Sequence, residues 1–187
     1  MEAGNSTSDR RRLLEKLLRE CLRSEIDALE AGPREAKRIG ESPPVEALRE
    51  IARHAEAMQP RLRHALEAHE LEIHRGGISS TLTSLRHFVA DRFQDPERAY
   101  RGALLELRHG VEVVRVLREL SRLEELFGVI RWCDDWLSVR RTLVSRVEAQ
   151  LCWFVEDHVK AAIDSSAAPN DPDDHDPLRS PASRDWL

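Results

Sequence analysis

A glutamate and a histidine three residues apart, Glu106 and His109, are the pair in this sequence best placed to do chemistry. They lie in LLELRHGVEVVRVLREL, residues 104–120, where apolar residues recur every three or four positions and predict an amphipathic helix. On a helical wheel, both fall on the apolar side with Leu107 and Val113. An inward carboxylate and imidazole at this spacing can bind one divalent ion inside a bundle of helices.

A salt bridge is the competing interpretation of Glu106. Arg140 falls near the middle of the apolar face of the last predicted helix, so a guanidinium is also expected inside. Burying an unpaired charge costs roughly several kcal/mol of folding free energy. Two opposite charges in one core therefore tend to pair. A guanidinium also repels a bound cation and competes for its carboxylate ligand. We favour the Glu106–Arg140 salt bridge and keep a mononuclear metal site as the alternative.

Two further residues could complete such a metal site. Glu25 lies in the middle of the apolar face of the first predicted helix, and His54 lies at the flank of the apolar face of the second. The predicted ligand set for one iron or other divalent ion is therefore Glu25, His54, Glu106 and His109. His69 is central on the second helix, and for both His54 and His69 the favoured interpretation is a hydrogen-bonded core or boundary histidine.

Four long helices are predicted to position these residues, over residues 9–31, 43–74, 96–126 and 127–163. Ser8 or Asp9 can cap the first helix, and Gly32-Pro33 should end it. A shorter helix is predicted around residues 79–93. Short turns favour antiparallel neighbours, so the fold class is all-α, an up-down antiparallel four-helix bundle over residues 9–163. Residues 1–8 and the Pro/Asp-rich residues 164–187 are predicted to be disordered.

The order of these helices resembles the ferritin-like superfamily, and most of all its stress-associated YciF-type group. The residues that carry the resemblance are Glu25, ARHAEAMQPRL with His54, and DPERAYRGALLELRHGVE with His109. It covers residues 9–160. It implies a two-iron site built from two glutamates and two Glu-x-x-His motifs. Because Glu106-x-x-His109 is the only such motif in this chain, the resemblance implies a degenerate metal centre.

Composition narrows the class of protein. The net charge is −5 and residues 164–187 carry much of the acidity, so no basic face for nucleic acid is predicted. No long apolar run or signal peptide is found, and the three cysteines, Cys21, Cys133 and Cys152, lack paired spacing, which favours a cytoplasmic location. Basic residues are almost all arginine, which favours a bacterial source with a GC-rich genome.

The sequence therefore predicts a non-enzymatic bundle with a structural or interaction role and no cofactor. A metal-binding stress or redox protein is the alternative, and a small-ligand carrier is a third interpretation. A homodimer through the long helices is expected. Trp186 and Leu187, after the acidic tail, predict a short peptide that a protein partner binds. No membrane partner is predicted.

Overall fold

The computed structural model describes residues 3–69, 71 and 95–156, with side chains from residue 8 onwards. This part of the chain contains four long helices and no strand, so the all-α prediction is confirmed there. We number the long helices α1 (Ala3–Ile39), α2 (Pro43–Glu67), α3 (Pro96–Leu123) and α4 (Phe127–Ala149). A 3-10 turn, Gln150–Cys152, and a short α5, Trp153–Glu156, follow. The predicted helix around residues 79–93 and the predicted tail lie outside the described residues.

The end of α1 differs from the prediction that Gly32-Pro33 stops it. Pro33 lies inside the helix, which ends only at Gly40, whose φ of 68° is the left-handed conformation that glycine adopts easily. A proline inside a helix costs about 3 kcal/mol. Continuing the helix past it places Glu35 in the interior, at 1% exposure, and packs Ile39 against the core, so packing outweighs the local preference.

Other helix limits also differ from those predicted. α2 ends at Glu67 instead of near residue 74, and α3 ends at Leu123 instead of near residue 126. α1 begins at Ala3, before the predicted caps Ser8 and Asp9, so residues 3–8 belong to the helix. α4 was expected to continue to residue 163, but it gives way to the 3-10 turn after Ala149. The starts of α2 and α3 fall at the predicted prolines, where a missing backbone N–H costs nothing.

A seven-residue repeat of buried positions runs along each long helix. On α3 every third or fourth residue is buried in alternation, namely Tyr100, Ala103, Leu107, Gly110, Val114, Leu117 and Ser121. The same alternation continues through Leu14 to Glu35 on α1 and through Val129 to Val147 on α4. This is the seam of a coiled coil, in which supercoiling keeps one face of each helix towards its partners.

The four helices form a closed ring in which α1 and α4 each pack against α2 and α3. Gly40 begins the short turn that makes α1 and α2 antiparallel. The other adjacent pairs are also antiparallel, because in each pair a residue early in one helix contacts a residue late in the other. For α1 with α3 the contacts are Arg10–Glu124 and Ser24–Gly110, and for α2 with α4 they are Glu50–Arg146 and His69–Gly128. For α3 with α4 they are Arg108–Glu148 and Arg118–Asp134. The predicted antiparallel neighbours are therefore confirmed.

The helix directions are nevertheless up, down, down, up rather than a simple alternation. α2 and α3 lie diagonally across the bundle and point the same way. The end of α2 and the start of α3 consequently lie at opposite ends of the bundle. Bundles with one long crossover connection have this order of directions.

The core consists of two hydrophobic clusters, one towards each end of the bundle. One contains Leu18, Leu62, Leu117 and Trp136 among its members, and the other contains Ile51, Leu104, Tyr100 and Val147 among its members. Along each helix the first cluster stops and the second begins within a few residues, between Cys21 and Ala28 on α1 and between Leu137 and Leu143 on α4. The residues between the clusters form the candidate site.

Candidate functional site

A buried ion pair joins the two diagonal helices α1 and α4 at the level where the hydrophobic clusters meet. Nη2 of Arg140 donates a hydrogen bond to Oε1 of Glu25 over 2.6 Å. The two side chains are 1% and 4% exposed. Both residues occupy seam positions of their helices, so the coiled-coil packing itself directs them inward. The inward positions predicted for Glu25 and Arg140 are confirmed.

Trp136 and His54 enclose this pair. The guanidinium carbon of Arg140 lies 4.7 Å from the centroid of the Trp136 ring, within the range of a cation–π contact. Trp136 is on the seam one turn before Arg140. His54, from the flank of α2, lies with its ring centroid 6.2 Å from that of Trp136. We call Glu25, His54, Trp136 and Arg140 the polar layer.

Several polar atoms in the polar layer are buried without a hydrogen-bond partner among the described residues. They are Oε2 of Glu25, Nε of Arg140, Nε1 of Trp136 and both ring nitrogens of His54. Each such atom loses its hydration on folding and gains no bond in return. The layer is therefore a costly part of the core, and the ion pair offsets only part of that cost.

Burial governs the protonation equilibria of the layer. Burial raises the pKa of Glu25, although the charge of Arg140 acts against that rise. Burial likewise lowers the pKa of Arg140, and the Glu25 charge opposes it. Burial and, secondarily, the Arg140 charge lower the pKa of His54 to about 4. At neutral pH, His54 is therefore an uncharged imidazole beside the charged guanidinium.

A small residue on α3 allows the helices to approach at this level. A Cβ atom built on Gly110 would overlap Oγ of Ser24 and lie 3.3 Å from its Cβ. Ser24 directly precedes Glu25, so the close approach of α1 and α3 occurs beside the ion pair. Glycine is favoured here by the neighbouring side chain of Ser24 and not by the backbone, which is ordinary helix.

The predicted inward positions of Glu106 and His109 are wrong, because both side chains are exposed. The Glu106–Arg140 salt bridge is wrong with them, since Arg140 pairs with Glu25. The helical-wheel prediction placed Glu106 inward because it treated the neighbouring Leu105 as a core residue. Leu105 is 62% exposed, whereas the small residue Gly110 is buried. A straight wheel also drifts by about 20° per seven residues from a supercoiled seam.

The four predicted metal ligands are therefore not brought together. His54 lies near Glu25 and Arg140, whereas Glu106 and His109 are on the outside of α3. Within the described ranges, no group of three or more His, Cys, Asp or Glu side chains is arranged to hold a metal ion. The positively charged guanidinium of Arg140 also lies in this layer and would repel a metal cation. The polar layer does not fit the two-iron centre that the resemblance implies.

His69 and the cysteines have local structural roles. Nε2 of His69 accepts a hydrogen bond from the backbone N–H of Gly128 over 3.1 Å, which satisfies one of the free amides in the first turn of α4. The prediction of a hydrogen-bonded histidine is therefore confirmed for His69, whereas His54 has no hydrogen-bond partner among the described residues. Cys21 and Cys133 are buried, as expected, and burial raises the pKa of both thiols. A raised pKa keeps them as uncharged core side chains.

A second buried polar group, which our sequence analysis did not predict, lies towards the other end of the bundle. Glu35 is 1% exposed and pairs with Arg38 one turn later. The Tyr100 hydroxyl donates to the carbonyl oxygen of Val147 over 2.9 Å and so connects α3 to α4. Burial and then the nearby Glu35 charge raise the pKa of Tyr100. The seven-residue repeat that contains Glu25 also contains Glu35 and would have identified it.

Comparison of this chain with protein-family models, with curated protein sequences and with solved structures gives no match. Membership of the ferritin-like superfamily therefore stays a prediction. Among the described helices, none combines the length and the apolar character needed to cross a membrane.

Proposed function

We propose that this chain is a non-enzymatic, ferritin-like helical bundle in which the Glu25–Arg140 ion pair takes the place of a metal centre, and that its role is structural or in protein interaction. The pair itself is the observation that supports this proposal. It lies between the two hydrophobic clusters, where a bundle cofactor would bind, and the guanidinium already uses one carboxylate oxygen.

The directions of the helices also support the ferritin-like part of the proposal. Ferritin-like bundles have one long crossover connection, and the up-down-down-up order here requires one between α2 and α3. A four-helix bundle with only short turns would alternate in direction. This argument concerns topology alone and does not depend on any ligand residue.

A buried ion pair in a coiled-coil core most often specifies which helices meet and in which register. Glu25 and Arg140 lie on diagonal helices, so their bond forms only when all four helices are aligned at this level. A one-residue slip of either helix would leave a buried charge without its partner. The pair therefore gives the bundle a single register at some cost in stability.

The metal content of the purified protein tests this proposal. The protein is made without a histidine tag, and iron, manganese and zinc are measured by plasma mass spectrometry for the wild type and for Glu25→Gln. We expect far less than one metal ion per chain in both proteins. Near-stoichiometric metal that is lost in Glu25→Gln would contradict the proposal and favour the metal-binding alternative.

We also propose that Trp186 and Leu187 bind a protein partner. The support is the sequence alone, in which an acidic, proline-containing stretch precedes two large apolar residues. Deleting residues 165–187 should abolish binding of any partner recovered with the full chain and leave the melting temperature of the bundle nearly unchanged. Recovery of the same partners with the shortened chain would contradict this.

A further inference from the structure

The outward face of α3 carries large apolar side chains that the described residues leave uncovered. Leu105, Val116 and Leu123 are 62%, 49% and 68% exposed. They lie on the side of α3 opposite the buried seam. With His109, Glu112 and Glu119 they form a second set at alternating four- and three-residue spacing, and we call these six residues the outer stripe of α3.

The spacing of the outer stripe is that of a helix–helix contact. A set of positions at this alternation stays on one side of a supercoiled helix along its whole length. Single exposed apolar residues are ordinary on a protein surface, but three that share one stripe indicate a contact surface. The two leucines lie near the two ends of the stripe, with Val116 between them.

We propose that the outer stripe of α3 is the surface through which two copies of this chain associate, with the two α3 helices antiparallel about a two-fold axis near Val114. In this arrangement Leu105 of each copy faces Leu123 of the other, because both are nine residues from the axis. One Leu105–Leu123 pair then packs at each end of the contact. A two-fold contact uses the same patch twice, so it needs such self-complementarity.

The charges beside the outer stripe are complementary in this register. With the axis at Val114, Glu112 of one copy lies level with Val116 of the other and so one residue from Arg115. Arg108 likewise lies one residue from Glu119, and symmetry forms each of these close pairs twice. These four side chains are 63%, 54%, 46% and 59% exposed, and within one chain Arg108 already pairs with Glu148 and Glu119 with Arg122. Arg115 likewise bonds Glu112 within one chain, so the dimer joins existing pairs into a network of alternating charge.

A parallel arrangement of the two helices would lack this complementarity. A two-fold axis along the helices places each residue beside its own copy, so Glu112 would meet Glu112 and Arg115 would meet Arg115. Like charges directly opposite one another disfavour association and exclude wrong partners. The order of charges along α3 therefore favours the antiparallel pair.

A single helix–helix contact is small compared with the roughly 800 Å² per partner of a standard stable interface. We therefore expect a reversible dimer whose population rises with protein concentration. The inference goes beyond the proposed function and is independent of it. The dimer surface is on the outside of α3, whereas the proposal for the bundle concerns the polar layer in its centre.

Sedimentation velocity across a range of protein concentrations tests the dimer directly. The wild type should change from monomer to dimer as concentration rises, and Leu105→Glu should weaken association by at least tenfold. Val155→Glu is the matched control, because Val155 is 78% exposed and lies outside the outer stripe. Circular dichroism checks that both variants keep the helical fold. A wild type that stays monomeric, or a Leu105→Glu protein that associates like the wild type, would overturn the proposal.

Charge reversal tests the register. Glu112→Arg or Arg115→Glu alone should weaken association, because each places like charges close to each other across the axis. The double variant with both changes should recover it, since the pair is restored with its signs exchanged. A double variant that associates no better than the single variants would contradict the proposed register.

Disulfide trapping tests the direction of the helices. In a Cys152→Ser background, which removes the exposed thiol, a mixture of Leu105→Cys and Leu123→Cys chains should form a mixed disulfide under mild oxidation. Leu105→Cys alone should not, because two copies of residue 105 would lie about 27 Å apart along antiparallel helices. Faster cross-linking of Leu105→Cys with itself than in the mixture would overturn the antiparallel arrangement.

Discussion

Replacing Glu25 with leucine should destabilise the bundle by about 3–5 kcal/mol, the usual cost of breaking a buried ion pair by removing one partner. Arg140 would remain charged at 1% exposure with its acceptor lost. Its contact with the Trp136 ring persists and offsets part of the cost, which places the expected value near the lower limit. Glu25→Gln keeps an oxygen that accepts from Arg140, so it should cost only about 1–2 kcal/mol.

The double variant Glu25→Leu with Arg140→Met tests whether the loss comes from an unpaired charge. Buried pairs replaced by apolar residues of similar volume are often neutral or stabilising, because both desolvation costs disappear. We therefore expect the double variant to unfold at a urea midpoint close to or above that of the wild type. A less uniform packing of the helices should accompany it, since the charge that specifies register is gone.

Urea unfolding, followed by tryptophan fluorescence and by circular dichroism, measures these differences. Trp132 and Trp136 are both buried, so fluorescence reports on the core beside the pair. The matched control is Glu15→Gln, which breaks an exposed ion pair with Arg11 on the same helix and should cost less than about 1 kcal/mol. A Glu25→Leu protein as stable as the Glu15→Gln control would refute a buried Glu25–Arg140 pair.

Three other predictions concern the pH response and two close contacts. The free energy of unfolding should fall by about 1–3 kcal/mol as pH is lowered from about 6.5 to about 4. The reason is that His54 binds a proton in the unfolded chain over this range but, with its lowered pKa, not in the folded protein. Urea titrations at several pH values should show a flatter pH dependence for His54→Gln. Gly110→Ala should lower the melting temperature, although alanine has the better helix propensity, and adding Ser24→Ala should restore much of the loss. An unchanged melting temperature in Gly110→Ala would show that the two helices separate freely. Tyr100→Phe should cost about 1 kcal/mol by removing the bond to Val147, and an unchanged urea midpoint would show that this bond contributes nothing.

The sequence predicted the second helix best. Leu48, Ile51, Met58 and Leu62 were expected on its inward face and all are buried. These residues are large and apolar and their spacing is regular, so any helical wheel identifies them. His54 at the edge of that face was also placed correctly, because its position follows from its neighbours.

The sequence failed where small or polar residues form the core. On α3 the seam passes through Ala103, Gly110 and Ser121, which carry no apolar signal, while the larger Leu105 and Val116 face outward. The approach of the neighbouring helices decides which residues are buried. The sequence of a single helix carries no information about that approach. The partner of Arg140 was misassigned for the same reason.

Local rules also failed at Pro33. A glycine and proline together usually end a helix, and the rule ignores what the following residues contribute by packing. The true end at Gly40 has its own signal, a glycine just beyond the last turn. Only the burial of residues beyond Pro33 distinguishes the two signals.

The melting temperature of the metal-free wild type, measured with and without excess Fe²⁺, Mn²⁺ or Zn²⁺, tests the central claim most directly. A ligand that binds only the folded state raises stability by about 2.7 kcal/mol at one hundred times its dissociation constant. If the Glu25–Arg140 pair fills the centre of the bundle, none of these ions should raise the melting temperature. A rise of several degrees that Glu25→Gln abolishes would contradict the account, because Glu25 would then bind a cation in preference to Arg140.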